Sequence, residues 1–146
     1  MKTVNKNEVK IRRMVSSDIT PTLGILWANI PEKEMVADQL RGPRGLSFIA
    51  EYDGLLIGFI LAKLEYSGFP MIGTGVVFLI AVNPEYQRSG IGTMLIDSLE
   101  KHCKSRGIAA IRAIVPKNDK RIIKYFSDAG FCESNIINYD KPCHNQ

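Results

Sequence analysis

The sequence predicts an α/β chain, layered in the α+β manner, with a mixed central sheet flanked by helices. Three observations carry that reading. The apolar periodicity switches along the chain in the order strand, helix, helix, three strands, helix, strand, helix, strand. Two of the strand segments are apolar on both alternations, as strands covered on both faces are. One of those two, residues 76–82, passes through Gln87-Arg88-Ser89-Gly90-Ile91-Gly92 into an amphipathic segment, residues 91–103.

Taken in order, Val9-Lys10-Ile11-Arg12-Arg13-Met14 alternates like a half-buried strand. Ser16-Ser17-Asp18 offers helix caps, and residues 19–30 read as a helix in which Pro21 is acceptable only in the first turn. Residues 32–39 suggest a second short helix, and residues 41–45 a loop. Residues 46–52 and 55–66 are strands joined by Asp53-Gly54, a strong two-residue hairpin signal. In the second of them Ile57, Phe59 and Leu61 fill one alternation, and Leu56, Ile60, Ala62 and Leu64 the other, so it belongs inside the sheet. Residues 68–75 read as a loop before the strand 76–82.

Ile91, Met94, Leu95, Leu99 and Cys103 share one helical face, and Gly107 stops that helix. Residues 108–115 form the next strand. Asn118 or Asp119 then caps a helix whose buried face is Ile122, Ile123, Phe126 and Ala129, closed by Gly130 with Phe131 making the apolar C-terminal contact. Residues 132–139 are expected to be a last strand. No linker or repeat divides the chain, so residues 9–146 are expected to form a single domain, with residues 1–8 and the tail after Lys141 loose.

Composition narrows the classes of function. A chain of 146 residues supports one domain with a real core. Its apolar runs fall short of the roughly 20 residues of a membrane helix, and its polar N-terminus has no signal-peptide core. No membrane partner is expected. The three cysteines, Cys103, Cys132 and Cys143, are an odd, widely spaced set. They read as free thiols in a reducing cytoplasm, with no metal site. Cys103 falls on the apolar helix face and reads as a packing residue. The net charge of +4 is scattered. A nucleic-acid partner would want a continuous basic stripe with interleaved aromatics, so none is expected.

The chemistry concentrates in the run from Gln87 to Gly92. The first amides of a helix lack intrahelical partners and sit at the positive end of its dipole, which makes an anion site. Glycine there lets the backbone approach a ligand. A P-loop would need a longer glycine-bounded loop followed by Lys-Ser or Lys-Thr, and no such run occurs. Gly73-Thr74-Gly75 begins a dinucleotide fingerprint, but Phe78 stands where its third glycine should be.

With its flanks, Ala81-Val82-Asn83-Pro84-Glu85-Tyr86 before and Thr93-Met94-Leu95-Ile96 after, the Gln/Arg-x-x-Gly-x-Gly run resembles the pyrophosphate loop of the GNAT superfamily, the acyl-CoA-dependent N-acyltransferases. The element order matches that superfamily over nearly the whole chain. The resemblance implies a sheet whose middle strands splay and acetyl-CoA as co-substrate, with no metal. It implies that the backbone of Leu79, Ile80, Ala81 and Val82 pairs with the pantetheine arm. The pyrophosphate would rest on the amides of Arg88, Ser89, Gly90, Ile91, Gly92 and Thr93, with the Gln87 side chain as a further hydrogen-bonding group and Asn118 or Asp119 near the start of the last helix. The implied reaction is direct attack of a primary amine, on a small molecule or on a protein or peptide, upon the acetyl thioester. The superfamily also allows a homodimer.

Two positions depart from the superfamily pattern. Its strand glutamate falls on Val76, and its helix tyrosine falls on Phe126 with Tyr125 as neighbour, about 100° away around the helix. Tyr125 is the candidate acid. Glu51 and Glu65, at strand ends, are the alternatives for a base, a water relay is a third, and His102 is a surface residue remote from the loop. These departures motivate an alternative: a CoA-binding module without catalysis, serving as a sensor or partner subunit. The implied acceptor pocket would draw on residues 25–45, with Trp27, Glu32, Glu34 and Asp38, and on residues 66–74, with Tyr66 and Phe69.

Overall fold

A computed structural model describes residues 3–21 and 45–144 of the chain. It divides into two compact units, Met1–Ile114 and Val115–Gln146. The first holds a five-stranded sheet in the order β1-β2-β3-β4-β5. These are β1 Lys10–Arg13, β2 Phe48–Tyr52, β3 Leu55–Ser67, β4 Ile72–Val82 and β5 Ile111–Ala113. The first four pair antiparallel, and β4 with β5 parallel. A mixed sheet is what the sequence predicts.

Asp53 and Gly54 both take positive φ, 52° and 77°, the two left-handed residues of the turn whose twist matches a hairpin. Long, doubly apolar β3 lies in the sheet interior. On one face Phe59 and Leu61 pack with Met14 and Ile49, with Ile19, Leu79 and Ala81 against them. The other face receives helix α1, Ile91–Ser105, which buries Ile91, Leu95, Ile96, Leu99 and Cys103. Spacing of four residues from Ile91 to Cys103 makes that stripe, and Ile96 is buried where the sequence suggested Met94. Each fully buried Leu or Ile contributes about 1.5–3 kcal/mol. The stop at Gly107 is as expected: its φ is 72°, and Ile108 N–H reaches back to the Cys103 carbonyl at 2.9 Å.

Several boundaries differ from the sequence expectation. β4 begins at Ile72, because Gly73, Thr74 and Gly75 pair with Tyr66, Glu65 and Leu64 instead of forming a loop. β5 is three residues long, not eight. Within the N-terminal stretch expected to be loose, Lys6–Glu8 form a 3-10 turn capped by Asn5. Residues 19–21 are helical, with Pro21 in the first turn as required. The rest of that helix, the short helix at 32–39 and most of the loop at 41–45 lie outside the described residues.

In the second unit, helix α2 is Lys120–Asp128, and Asp119 is its N-cap, accepting from Ile122 N–H at 3.1 Å. Asn118 is the exposed residue before the cap. Gly130, at φ 95°, and Phe131 close the helix as predicted: Phe131 N–H bonds the Phe126 carbonyl at 2.9 Å, and their rings meet edge to face at 5.1 Å. The expected apolar face of α2 is less covered than the sequence suggested, with Ile122 and Ile123 exposed. The strand expected at 132–139 does not form. Ser134 Oγ instead accepts from Ile136 N–H at 3.1 Å, a local turn that competes with strand pairing.

Candidate functional site

The site begins where β4 leaves β5. Parallel pairing runs from Gly75 with Ile111 to Val77 with Ala113 and stops. The next residue, Phe78, is surplus in the antiparallel register with β3: Leu61 faces Leu79, and Ala62 faces Val77. Such a bulge bends a strand and increases its twist. It carries β4 away from β5, which explains why β5 is so short. Phe78 is exposed, whereas Thr74, Gly75, Val76 and Val77 are buried. Beyond it, Leu79, Ile80, Ala81 and Val82 pair with β3 on one side only; among the described residues no strand lies on their other edge. β4 and the edge strand β5 therefore splay apart beyond Val77. An edge of four residues is about 13 Å long, and its outward N–H and C=O groups can pair with an extended chain that carries amides.

The end of β4 is tied down tightly. Asn83 N–H bonds the Ile57 carbonyl at 2.8 Å, and its side chain caps the 3-10 turn Pro84–Tyr86 through Glu85 N–H. Buried Tyr86 stacks edge-on against Tyr52 with ring centres 6.0 Å apart. Ser89 Oγ donates to the Tyr86 carbonyl, and Gln87 Nε2 donates to the Val82 carbonyl at 3.0 Å. Gln87, expected to face the ligand, thus fastens the loop to the strand. Arg88 and Gly90 adopt left-handed φ of 63° and 82°.

Gly90 is the N-cap of α1 and supplies no side chain to it. The first intrahelical bond runs from Met94 N–H to the Gly90 carbonyl at 3.0 Å. The amides of Ile91, Gly92 and Thr93 precede it and are available to an anion at the positive end of a 15-residue helix. Two glycines seat this helix on the sheet. A Cβ on Gly58 would lie 3.4 Å from Ile91 Cγ2 and 3.2 Å from the Ala81 carbonyl oxygen. A Cβ on Gly75 would lie 3.0 Å from Cys103 Sγ. Both ends of α1 are pressed down where a side chain is missing, and that fixes where its N-terminus points.

The candidate proton handlers are placed less favourably. Val76 is buried, paired with Lys63 on β3 and Arg112 on β5, and β4 carries no carboxylate. Glu51 is 3.3 Å from Arg12, which also forks onto Asp18 at 2.9 Å through both nitrogens. That carboxylate is therefore part of a structural ion network. Glu65 is half-buried opposite Thr74 on β4. His102 lies near the far end of α1 from Gly90, 3.0 Å from Arg13 and edge-on to Phe48. Burial, then the charges of Arg13 and Arg106, push its imidazole below the usual value. Tyr125 lies midway along α2 against Phe126, and burial pushes its phenol up, keeping the proton on. Trp27, Glu32, Glu34 and Asp38 lie outside the described residues. Tyr66 and Phe69 are exposed at the β3–β4 turn.

Thus the structure joins Leu79 to Val82 and Gln87 to Thr93 into one continuous feature of the first unit, while Asn118 and Tyr125 belong to the second. Sequence reasoning missed the bulge at Phe78 and the seat at Gly58. Phe78 gave no signal, because β4 is apolar on both alternations. Gly58 did: a lone glycine within an apolar strand marks a close backbone approach.

An open strand edge that runs into a glycine-capped helix start suits a linear, amide-bearing arm that ends in a diphosphate, the shape of coenzyme A. Comparison with known proteins defines the class. The acetyltransferase (GNAT) family profile matches residues 13–131, and the chain belongs to that family. It is 29% identical over 105 residues to the [ribosomal protein bS18]-alanine N-acetyltransferase of Escherichia coli K12, covering 72% of this chain and 66% of that protein. It is 29% identical over 112 residues to a mycothiol acetyltransferase of Propionibacterium freudenreichii, covering 76% of this chain and 35% of that protein. These two relatives are thus matched over less than two thirds of their own length. An N-alpha-acetyltransferase of Sulfurisphaera tokodaii is 26% identical over 143 residues, covering 90% of this chain and 85% of that protein. Among solved structures, an aminoglycoside acetyltransferase from an uncultured soil sample superposes with a TM-score of 0.76 at 17% identity, covering 95% of this chain and 99% of that one. Such likeness establishes the fold.

Proposed function

We propose that this protein is an acetyl-CoA-dependent N-acetyltransferase that moves an acetyl group to a primary amine. The observation that carries the reading is the splayed edge of β4 leading directly into the Gly90-capped start of α1, in a chain of this family. The outward-facing N–H and C=O groups along the edge from Leu79 to Val82, those that do not bond β3, pair with the pantetheine arm. The amides of Arg88 through Thr93 hold the diphosphate. A β4 amide beside the bulge polarises the thioester carbonyl in the manner of an oxyanion hole. The neutral amine nitrogen attacks that carbon, the C–S bond breaks, the thiolate leaves without a covalent enzyme intermediate, and the proton released from the nitrogen passes to water. Tyr125, protonated at neutral pH, is the donor to the departing sulfur, and Asn118 is a further group at the cofactor.

Relatives named for a ribosomal-protein alanine, for mycothiol and for aminoglycosides support an amine acceptor. The family match spans both compact units, which supports a single catalytic domain from residue 9 onward. The three cysteines are free thiols, which suits a reducing cytoplasm.

A free-thiol assay with acetyl-CoA tests the reading across an amine panel of an N-terminal alanine peptide, a lysine peptide and an aminoglycoside. Thiol release that depends on one amine class is expected. Tyr125→Phe should lower kcat roughly a hundredfold with the KM for acetyl-CoA unchanged; an unchanged kcat removes Tyr125 from the chemistry. The second reading, a CoA-binding module, is favoured by the buried Val76 on a strand without carboxylates. Binding of acetyl-CoA without turnover on any amine would select it.

A further inference from the structure

Lys6 lies in the stretch that the sequence marks as a loose terminus, yet the fold brings it to the anion loop. The 3-10 turn Lys6–Glu8 is locked by Asn5, whose side chain accepts Asn7 N–H at 3.1 Å and whose carbonyl accepts Glu8 N–H at 2.9 Å. It leads straight into β1. Register determines which end of the sheet this is: Lys10 pairs with Glu51 near the end of β2, and Gly58 near the start of β3 pairs with Val82 at the end of β4. The N-terminal turn and the β4–α1 loop therefore sit at the same end of the sheet.

The contact itself is close. A Cβ placed on Gly90 would fall 2.7 Å from Lys6 Nζ and 3.0 Å from its Cε. The ammonium occupies the space that the missing side chain leaves beside the first turn of α1. The residue is exposed, and among the described residues it forms no ion pair. A strongly hydrated cation on a flexible stem next to three helix-start amides adds a full charge to a site that otherwise has only partial ones.

We infer that Lys6 is a ligand of the CoA diphosphate, bridging from the N-terminal turn onto the phosphate held by Gly90 and the amides of α1. The inference rests on the reading of the loop as the acetyl-CoA site. Gly90 then has two functions: its left-handed backbone presents the amides, and its lack of a side chain admits the ammonium. The amides supply directed hydrogen bonds, and Lys6 supplies the long-range attraction and a charge-assisted bond. This role concerns the phosphates alone and leaves the reacting thioester untouched.

The test measures dissociation constants of three thioesters with the wild-type chain, Lys6→Ala and Lys6→Arg. The thioesters are acetyl-CoA, its 3′-dephospho form, and S-acetyl-pantetheine, which lacks the diphosphate. Lys6→Ala is expected to weaken the first two by about fivefold to tenfold and to leave the third unchanged, with Lys6→Arg recovering most of the loss. In turnover the same variant should raise the KM for acetyl-CoA and leave kcat unchanged. Unaltered affinity for acetyl-CoA, equal weakening of all three, or a penalty confined to the 3′-phosphorylated form would each overturn the inference while leaving the loop assignment standing. If the wild-type chain bound neither phosphorylated thioester, the loop assignment would fall and the inference with it. Lys6 is exposed, so Lys6→Ala should melt at the wild-type temperature without ligand, which separates lost binding from lost folding.

Discussion

At Gly90 the difference between a hydrogen and a methyl group governs two things at once. Its φ of 82° is costly for any residue with a Cβ, and that Cβ would meet the tip of Lys6. The lysine tip is flexible and can move, so the backbone term dominates. Gly90→Ala should cost about 1–2 kcal/mol and lower the Tm by roughly 3–8 °C in a melting experiment. An unchanged Tm would mean that the left-handed cap does not exist. Another residue-scale prediction concerns Asp18. Burial opposes its charge, but hydrogen bonds from Arg12 and from Val15 N–H, with the Arg12 charge, outweigh that and hold its carboxyl below the usual value of 3.8. The folded state therefore keeps the proton off more strongly than the unfolded state. Its stabilisation is complete above the unfolded value and is lost as pH falls through the folded one. Tm measured from pH 5 down to pH 2 should fall less steeply in Asp18→Asn than in wild type; equal slopes would contradict the paired carboxylate. At this scale the loop was legible because glycine and helix-start chemistry are local. Gln87 was legible as a loop residue but not in its partner: nothing in the sequence shows that Val82 O lies within its reach.

Among the elements, α1 and β4 determine the site. The helix rests at one end on Gly58 and at the other on Gly75, and the second contact is the tighter. Gly75→Ala should destabilise the fold by about 1–3 kcal/mol, because its Cβ would lie 3.0 Å from Cys103 Sγ. In a double-mutant cycle with Cys103→Ala, part of that loss should be recovered, with a coupling of about 1 kcal/mol. Additive penalties in denaturant unfolding would contradict the proposed seat. The helices and long strands were legible from their periods, since a buried stripe every four residues or a doubly apolar strand is written in the residues themselves. The start of β4 was hidden because Gly73-Thr74-Gly75 looks like a loop, and glycine in a strand is only explained by the helix above it. The shortness of β5 was hidden because it follows from a bulge at Phe78 that a doubly apolar strand cannot announce. The missing strand at 132–139 fails for a local reason, the turn at Ser134, which the apolar pair Ile136-Ile137 masked.

For the molecule as a whole, the sheet does more than provide a core. Its register brings β1, the β2–β3 hairpin, the end of β4 and the start of α1 to one end, where an open strand edge meets a helix N-terminus. Family membership and this geometry both fit a coenzyme A thioester as co-substrate. A ligand that binds only the folded state stabilises it by about 2.7 kcal/mol at a hundredfold excess over Kd, enough to raise Tm by roughly 5–10 °C. The most direct measurement is a calorimetric titration of acetyl-CoA into the wild-type chain and into Gly90→Glu, whose side-chain carboxylate would occupy the anion site. One saturable site per chain is expected in the wild type and its loss in the variant, with the variant still folded by circular dichroism. A wild-type chain that does not bind acetyl-CoA, or a folded Gly90→Glu that binds it equally well, would contradict the assignment of this loop.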